Sequence, residues 1–435
     1  MPAIIGDAAL RSAFSAIEPY SSAVLAVSGG PDSMALMHLA CRWLRLVQRD
    51  RSAFSVVTVD HGLRPQSREE AEFVAREAKK LGFVHATVRW TGEKPKTRIQ
   101  STARSARYDL LEDYCRSRSI PCLITAHTRD DQAETFLMRL RRGSGLDGLA
   151  AMAPTSKWKN VSVVRPLLGM SKARLIVYAR LHAIPFVADP SNENLRFERA
   201  RIRAAFKAFA AAGITPSALV RSVFRLQRSR EALTQVAESF LDKYFKVGAL
   251  AQGELPRDEF NKLPPDLALR VLARVLTLLS GRQKPLRLAK LEHVFERLSL
   301  DHCKITFGGC LIVAQGDRLR FYRESGRIGA EPTPVKPGQS VIWDGRFILT
   351  FGPKLDDNVT VRYLGAKGWI TYRKELKSHK VPSEINRLAA LATPALWKGK
   401  ELQSAPLLGF TASRSAGLET RTSLVPGLVR FVKRM

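Results

Sequence analysis

Residues 23–39, AVLAVSGGPDSMALMHL, join a short apolar run to a helical apolar pattern through Ser28-Gly29-Gly30-Pro31-Asp32-Ser33. That order predicts a strand, a glycine-rich turn and a helix N-terminus. Backbone N–H groups in such a turn, reinforced by the positive end of the helix dipole, suit an anion such as phosphate. Gly29 and Gly30 permit positive φ and close backbone approach, and Ser28 and Ser33 add hydroxyl donors. No Gly-Lys-Ser/Thr follows, so the turn is not a Walker loop.

The surrounding chain narrows the fold further. Strand patterns at 23–28, 54–60 and 121–126, with a weaker one at 84–90, alternate with helical patterns near 32–47, 67–81, 101–117 and 130–141. Such alternation predicts an α/β domain with a parallel, Rossmann-like sheet covered on both faces. Ligands in these sheets bind outside the carboxyl ends of the strands, and SGGPDS, VDHGLR and AHTRDD each follow a strand directly. The 435 residues are too many for one core. We place a catalytic domain at 1–214, a mainly helical domain at 215–325 and a small β-rich or α/β domain at 340–435, with Pro/Gly-rich 326–339 as a linker.

With 70 Lys+Arg against 40 Asp+Glu, the net charge of +30 calls for a polyanionic partner, nucleic acid first and an anionic membrane surface second. No apolar run of about 18 residues predicts a membrane span, and the start lacks the basic-then-apolar order of a signal peptide. The five cysteines form no C-x-x-C pair and no zinc spacing, so they read as buried, reduced thiols of a cytoplasmic protein.

Three constellations carry candidate chemistry. Asp32 would repel a phosphate in its own turn unless a cation intervened, so it reads as a Mg²⁺ ligand, although an Asp there also caps a helix. His61 and Arg64, at the end of the second strand, face the crevice for stacking, hydrogen bonding or phosphate contact, or are ordinary polar residues of a strand exit. The densest group is Thr125 to Thr135. With a helix starting near 129, His127, Asp131 and Glu134 fall on one face. Neighbouring carboxylates repel unless a cation or an amine neutralises them. A capping box from Thr128 to Asp131 and the helix dipole account for one acid, but not for His127, Asp130, Asp131 and Glu134 together. Arg104, Arg107, Arg199 and Arg203 belong to further basic clusters, a pattern that a solvated face also produces.

In order along the chain, SGGPDS (28–33), VDHGLR (59–64), ARSARYDLL (103–111), TAHTRDDQAET (125–135), LRRGSGLDGL (140–149), RPLL (165–168) and DPSN…RARIR (189–203) resemble the bacterial tRNA(Ile)-lysidine synthetase family of the PP-loop (N-type) ATP pyrophosphatase superfamily. The likeness is tight over the first half and looser over TFGGCLIV and 393–410. Thr128 stands where that family often has a second histidine. The resemblance implies a two-step reaction: ATP adenylates the wobble cytidine of an isoleucine tRNA with a CAU anticodon, then the amine of free lysine displaces AMP to form lysidine. It implies catalytic roles for Asp32, His127, Asp131 and Glu134, and ATP binding by Ser28, Gly29, Gly30, Pro31, Asp32, Ser33 and His61. It further implies Mg²⁺ at Asp32, lysine binding by Asp131 and Glu134, and tRNA contacts from Arg64, Arg104, Arg107, Arg199, Arg203 and the two later domains. A homodimer, common among PP-loop relatives, is compatible with it, and no membrane partner is implied.

Three other readings compete, and one of them, a PP-loop amidotransferase using ammonia on a small substrate, offers no reason for a net charge of +30. A PP-loop tRNA thiolation enzyme shares the adenylation but needs a cysteine pair to carry sulfur, and Cys115 and Cys122 are not a C-x-x-C pair. A non-catalytic RNA-binding module would have no need of intact Ser28, Gly29, Gly30, Asp32, Asp131 and Glu134.

Overall fold

The computed structural model describes residues 5–62, 67–91, 99–187, 198–281, 286–298, 300, 302–329, 331–355, 358–376, 385–412 and 419–432. The chain divides into two compact units, 1–231 and 232–435.

The first unit follows the predicted alternation. Its elements are α1 (Asp7–Phe14), β1 (Ala23–Ala26), α2 (Pro31–Leu46), β2 (Phe54–Asp60), α3 (Ser67–Lys80), β3 (Val84–Arg89), α4 (Ile99–Ser117), β4 (Cys122–Thr125), α5 (Arg129–Leu140) and α6 (Leu146–Leu149). They continue with β5 (Thr155–Trp158), β6 (Val161–Val164), α7 (Lys172–Leu181), α8 (Glu198–Ala211) and α9 (Pro216–Tyr244), within which the boundary between the units falls. The sheet runs β3-β2-β1-β4-β6-β5. All neighbouring pairs are parallel except β5 with β6, a hairpin that the sequence reading did not place.

Strand geometry sends successive side chains to opposite faces, and the core divides accordingly. Ala23, Leu25, Val56 and Ile124 pack in one buried cluster with α1, α2, α3 and α7 residues. Val24, Val57, Leu123 and Val163 pack in another with Tyr108, Leu111 and Cys115 of α4. Burial on both faces is why these strands read as unbroken apolar runs. The chain goes from β1 to β2 on one side and returns to β4 on the other, so strand order reverses at β1. The crevice beyond the carboxyl ends of β1 and β4 is the topological switch point where α/β sheets take ligands.

The second unit holds α10 (Arg257–Asn261), α11 (Pro265–Ser280) and α12 (Leu288–Leu298) with three antiparallel sheets built from strands between Lys246 and Leu424. One buried cluster takes in Leu241, Leu272, Ile312 and Phe321 together with Phe347, Val361 and Phe431. The expected domains 215–325 and 340–435 therefore share a core. The stretch expected to be a linker contributes to it as well, for Ile328 and Val335 are buried there. Its proline and glycine content reflects turns laid over a core rather than a free tether.

Candidate active site

The 28–33 turn is built by backbone chemistry. Gly29 adopts φ +83°, in the left-handed region. A Cβ there would meet only ordinary contacts, Val74 Cγ2 at 3.5 Å and Val187 Cγ2 at 3.8 Å, so conformation rather than space requires glycine. Gly30 is the N-cap of α2 and Pro31 its first residue, where a missing N–H costs nothing. The Ser33 hydroxyl donates to the Gly30 carbonyl (2.9 Å) and accepts from the Ser28 amide (3.2 Å), stitching the turn to the first helical turn.

Asp32 follows at the start of α2. Its Oδ2 lies 3.4 Å from the Lys172 ammonium, and its buried Oδ1 has no hydrogen-bond partner. Burial raises its pKa above the ordinary carboxylate value, Lys172 opposes the rise, and Asp131 and Asp130 add to it. Lys172 is the first residue of α7, and its amide donates to Asp130 Oδ2 (2.7 Å) while the Arg129 amide donates to the Met170 carbonyl (2.8 Å). The N-termini of α5 and α7 are thereby locked together next to the 28–33 turn. Sequence reasoning missed Lys172, although a lysine directly after an N-cap serine, at the positive end of a helix dipole, runs against preference and signals a compensating anion.

The capping box forms: the Thr128 amide (2.8 Å) and hydroxyl (3.0 Å) donate to Asp131 Oδ2, and the Asp131 amide donates to Thr128 Oγ1 at 3.4 Å. Glu134 is almost wholly buried, and Arg203 Nε donates to its Oε1 (2.5 Å) while Arg199 Nε lies 3.9 Å from its Oε2. Burial still raises its pKa, Arg203 pulls against that, and Asp131 pushes with it. The acids are thus less exposed to mutual repulsion than the sequence reading supposed. Asp130 caps α7, Asp131 caps its own helix through one oxygen, and Glu134 has guanidinium partners. Arg203 feels Asp131 and Asp32 as well as Glu134, so these three carboxylates share one electrostatic neighbourhood.

His127 does not join them on a helix face. It precedes α5 and is buried, with Nδ1 2.8 Å from Thr125 Oγ1 and Nε2 3.5 Å from Arg104 Nη2. Burial and the charges of Arg104, Arg107, Arg165 and Arg199 hold its pKa well below 6.5. Burial brings the Arg104 pKa down to about 10, and its guanidinium lies 5.2 Å from the Tyr108 ring centroid. Arg104 and Arg107 are therefore part-buried members of an internal cationic cluster, not members of a solvated face. Arg165, at the end of the β6 apolar run, is anchored to Ala153 O and Ser156 Oγ, both at 2.9 Å. His61 sits past β2 with its ring edge-on to Trp90 at 6.3 Å between centroids. Arg64, Asp189 and Arg196 lie outside the described residues.

As to a metal, Asp32 supplies a hard, buried, unpartnered oxygen, while the described residues contain no group of three or more His, Cys, Asp or Glu that could hold an ion. The single carboxylate oxygen of Asp32 suits Mg²⁺, which is commonly held by one or two carboxylates plus substrate phosphates. All five cysteines are free and buried, as expected. Among the described residues no helix is long and apolar enough to cross a membrane.

A PP-loop domain family model matches residues 8–208. A tRNA(Ile)-lysidine synthase of Ruegeria pomeroyi is 39% identical over 416 residues, covering 94% of this chain and 94% of that protein. Proteins of the same name are 45% identical in Methylobacterium nodulans, over 70% of this chain and 91% of the relative, and in a Bradyrhizobium species, over 66% and 81%. Among solved structures, the U34-tRNA thiolase NcsA from Methanococcus maripaludis has a TM-score of 0.44 at 17% identity, covering 51% of this chain and 77% of that one. With curated likeness running nearly end to end, this chain belongs to the tRNA(Ile)-lysidine synthase family.

Proposed function

We propose that the protein ligates free lysine to carbon 2 of the wobble cytidine in an isoleucine tRNA bearing a CAU anticodon, at the cost of one ATP. The cytosine oxygen on carbon 2 attacks the α-phosphorus of ATP, and pyrophosphate leaves. The lysine amine, having lost a proton, then attacks carbon 2, and AMP departs with the former cytosine oxygen. What supports this reading most is the adjacency of a phosphate turn and three electrostatically linked carboxylates in a chain of net charge +30. An ATP-cleaving enzyme with a cationic amine substrate and a polyanionic RNA substrate needs all three features.

The turn 28–33 holds the polyphosphate, and His61 lines the nucleotide side. Asp32 would hold Mg²⁺, which when bound neutralises charge on the leaving pyrophosphate. Asp131 and Glu134 receive the lysine ammonium. Glu134, whose burial raises its pKa, accepts the proton from the attacking amine. Arg104, Arg107 and Arg199 stabilise phosphate charge on the adenylated base, with His127 orienting Arg104. The helical and C-terminal segments grip the tRNA through its phosphates and shape. This is work for a cytoplasmic enzyme.

A thiolation enzyme needs a reactive thiolate. Burial pushes the thiols of Cys115, Cys122 and Cys310 up to about 12, which disfavours that reading. The test is transfer of labelled lysine to the unmodified tRNA with ATP and Mg²⁺, against the same tRNA with uridine at the wobble position. Alkali-stable label on the cytidine tRNA alone is the expected result. AMP formation without label points to sulfur transfer, and neither product points to an RNA-binding module.

A further inference from the structure

Lys172 is a cation whose backbone is fixed by two hydrogen-bonded caps and whose head meets Asp32 across a long contact. Ser171 caps α7, with its hydroxyl accepting from the Arg174 amide at 3.2 Å, and Asp130 Oδ2 takes the Lys172 amide at 2.7 Å. The side chain is one-third exposed and ends 3.4 Å from Asp32 Oδ2. That is longer than the roughly 2.7–2.9 Å of a tight charged N–H···O bond. The positive end of α7 repels this ammonium, so the acids opposite, Asp32 above all, are what keep it there. Asp32 is equally underserved: this is its one ion pair among the described residues, and its other oxygen is buried without a partner.

Two cations cannot share this carboxylate cheaply. A divalent ion on Asp32 would sit within a few ångströms of the Lys172 ammonium and repel it. The nearest anion able to take that ammonium would be the polyphosphate on the adjacent 28–33 turn, because Asp32 lies in the first turn of the helix whose N-terminus forms the turn.

We propose that Lys172 is a displaceable counter-ion. In the nucleotide-free protein it holds Asp32, and when ATP arrives with its divalent cation it releases that carboxylate and moves its ammonium onto the polyphosphate. The inference rests on the reading of 28–33 as an ATP site. It makes Lys172 a nucleotide-binding residue that also keeps Asp32 from taking a metal prematurely.

Two effects of opposite sign follow from Lys172→Met. Without nucleotide, Mn²⁺ titrated into the full-length protein and followed by electron paramagnetic resonance binds several-fold more tightly than to wild type. With Mg²⁺ present, ATP titrated by calorimetry binds about tenfold more weakly, the loss of one charged hydrogen bond. Lys172→Arg keeps ATP affinity near wild type, which separates the charge from a folding defect. Adding Asp32→Asn to Lys172→Met abolishes the gain in Mn²⁺ affinity. Unchanged ATP affinity in a folded Lys172→Met protein, or Mn²⁺ affinity that is unchanged or weaker, overturns the proposal. If wild type binds ATP and transfers lysine while Lys172→Met matches it in both titrations, only this proposal fails. If wild type binds no ATP, the nucleotide-site reading falls and takes this proposal with it.

Discussion

His127 sits in a cage of positive charge, and that decides what its ring can do. Arg104 can only donate hydrogen bonds, so Nε2 presents its lone pair to the guanidinium and Nδ1–H donates to Thr125 Oγ1, at 3.5 and 2.8 Å. A second proton would bring a buried imidazolium up against Arg104, Arg107, Arg165 and Arg199, which is why its pKa lies well below 6.5. The neutral ring is an acceptor that aims Arg104. The sign of the pH effect follows. Unfolded chains protonate this histidine near 6.5 and the folded protein does not, so stability from His127 is present above 6.5 and is lost as pH falls through the window below it. His38 and His85 are also depressed by burial and contribute in the same direction. We expect the thermal midpoint to fall as pH drops below 6.5, and to fall less steeply in His127→Gln. Parallel curves for the two proteins in differential scanning calorimetry would refute the assignment. The residue was legible in the sequence, but its surroundings were not. Its four arginines come from α4, the end of β6 and α8, and no local spacing connects them.

At the scale of elements, α5 joins fold and site. Its N-cap, Thr128, engages one Asp131 oxygen in helix initiation and leaves the other out of the cap. Replacing a capping Thr by Ala costs about 1 kcal/mol. Thr128→Ala also releases the Asp131 carboxylate to swing. We predict a lower thermal midpoint and a raised KM for lysine, both restored by Thr128→Ser, which keeps the hydroxyl. A normal lysine KM in a destabilised Thr128→Ala protein would confine Thr128 to the cap alone. The capping box, the Gly-Gly turn and the strands β1, β2 and β4 were readable because each is a local code: a hydroxyl three residues before an acid, a positive φ, an unbroken apolar run. The β5–β6 hairpin escaped because TSKW and VSVV lack a strong alternating pattern and join through a two-residue turn without Asn-Gly or Asp-Gly.

At the scale of the whole molecule, residues 232–435 are bound by a buried charge network as well as by a shared core. Arg323 and Arg346 both hold Asp344, at 2.8 Å each, and Arg346 is 1% exposed, with a further bond to the Ala392 carbonyl. These residues come from both segments expected to be separate domains. Asp344→Ala leaves two guanidiniums facing each other without a counter-charge, and we expect it to cost roughly 3–5 kcal/mol. Chemical denaturation followed by circular dichroism should show 232–435 unfolding as one transition at lower denaturant. Independent transitions for its halves would contradict the shared core. The sequence by itself determined the α/β class, the Gly-Gly turn and its place at a strand end, the absence of a C-x-x-C pair and a net charge suited to a polyanionic partner. These follow from periodicity, backbone conformational rules and net charge, which act over neighbouring residues or over the chain as a sum. Only the tertiary structure decided that Lys172 answers Asp32, that Arg203 answers Glu134, that His127 stays neutral and that both parts of the second half contribute to a shared buried cluster. Each depends on groups tens to more than a hundred residues apart, brought within a few ångströms at a place where burial makes every unpaired charge expensive.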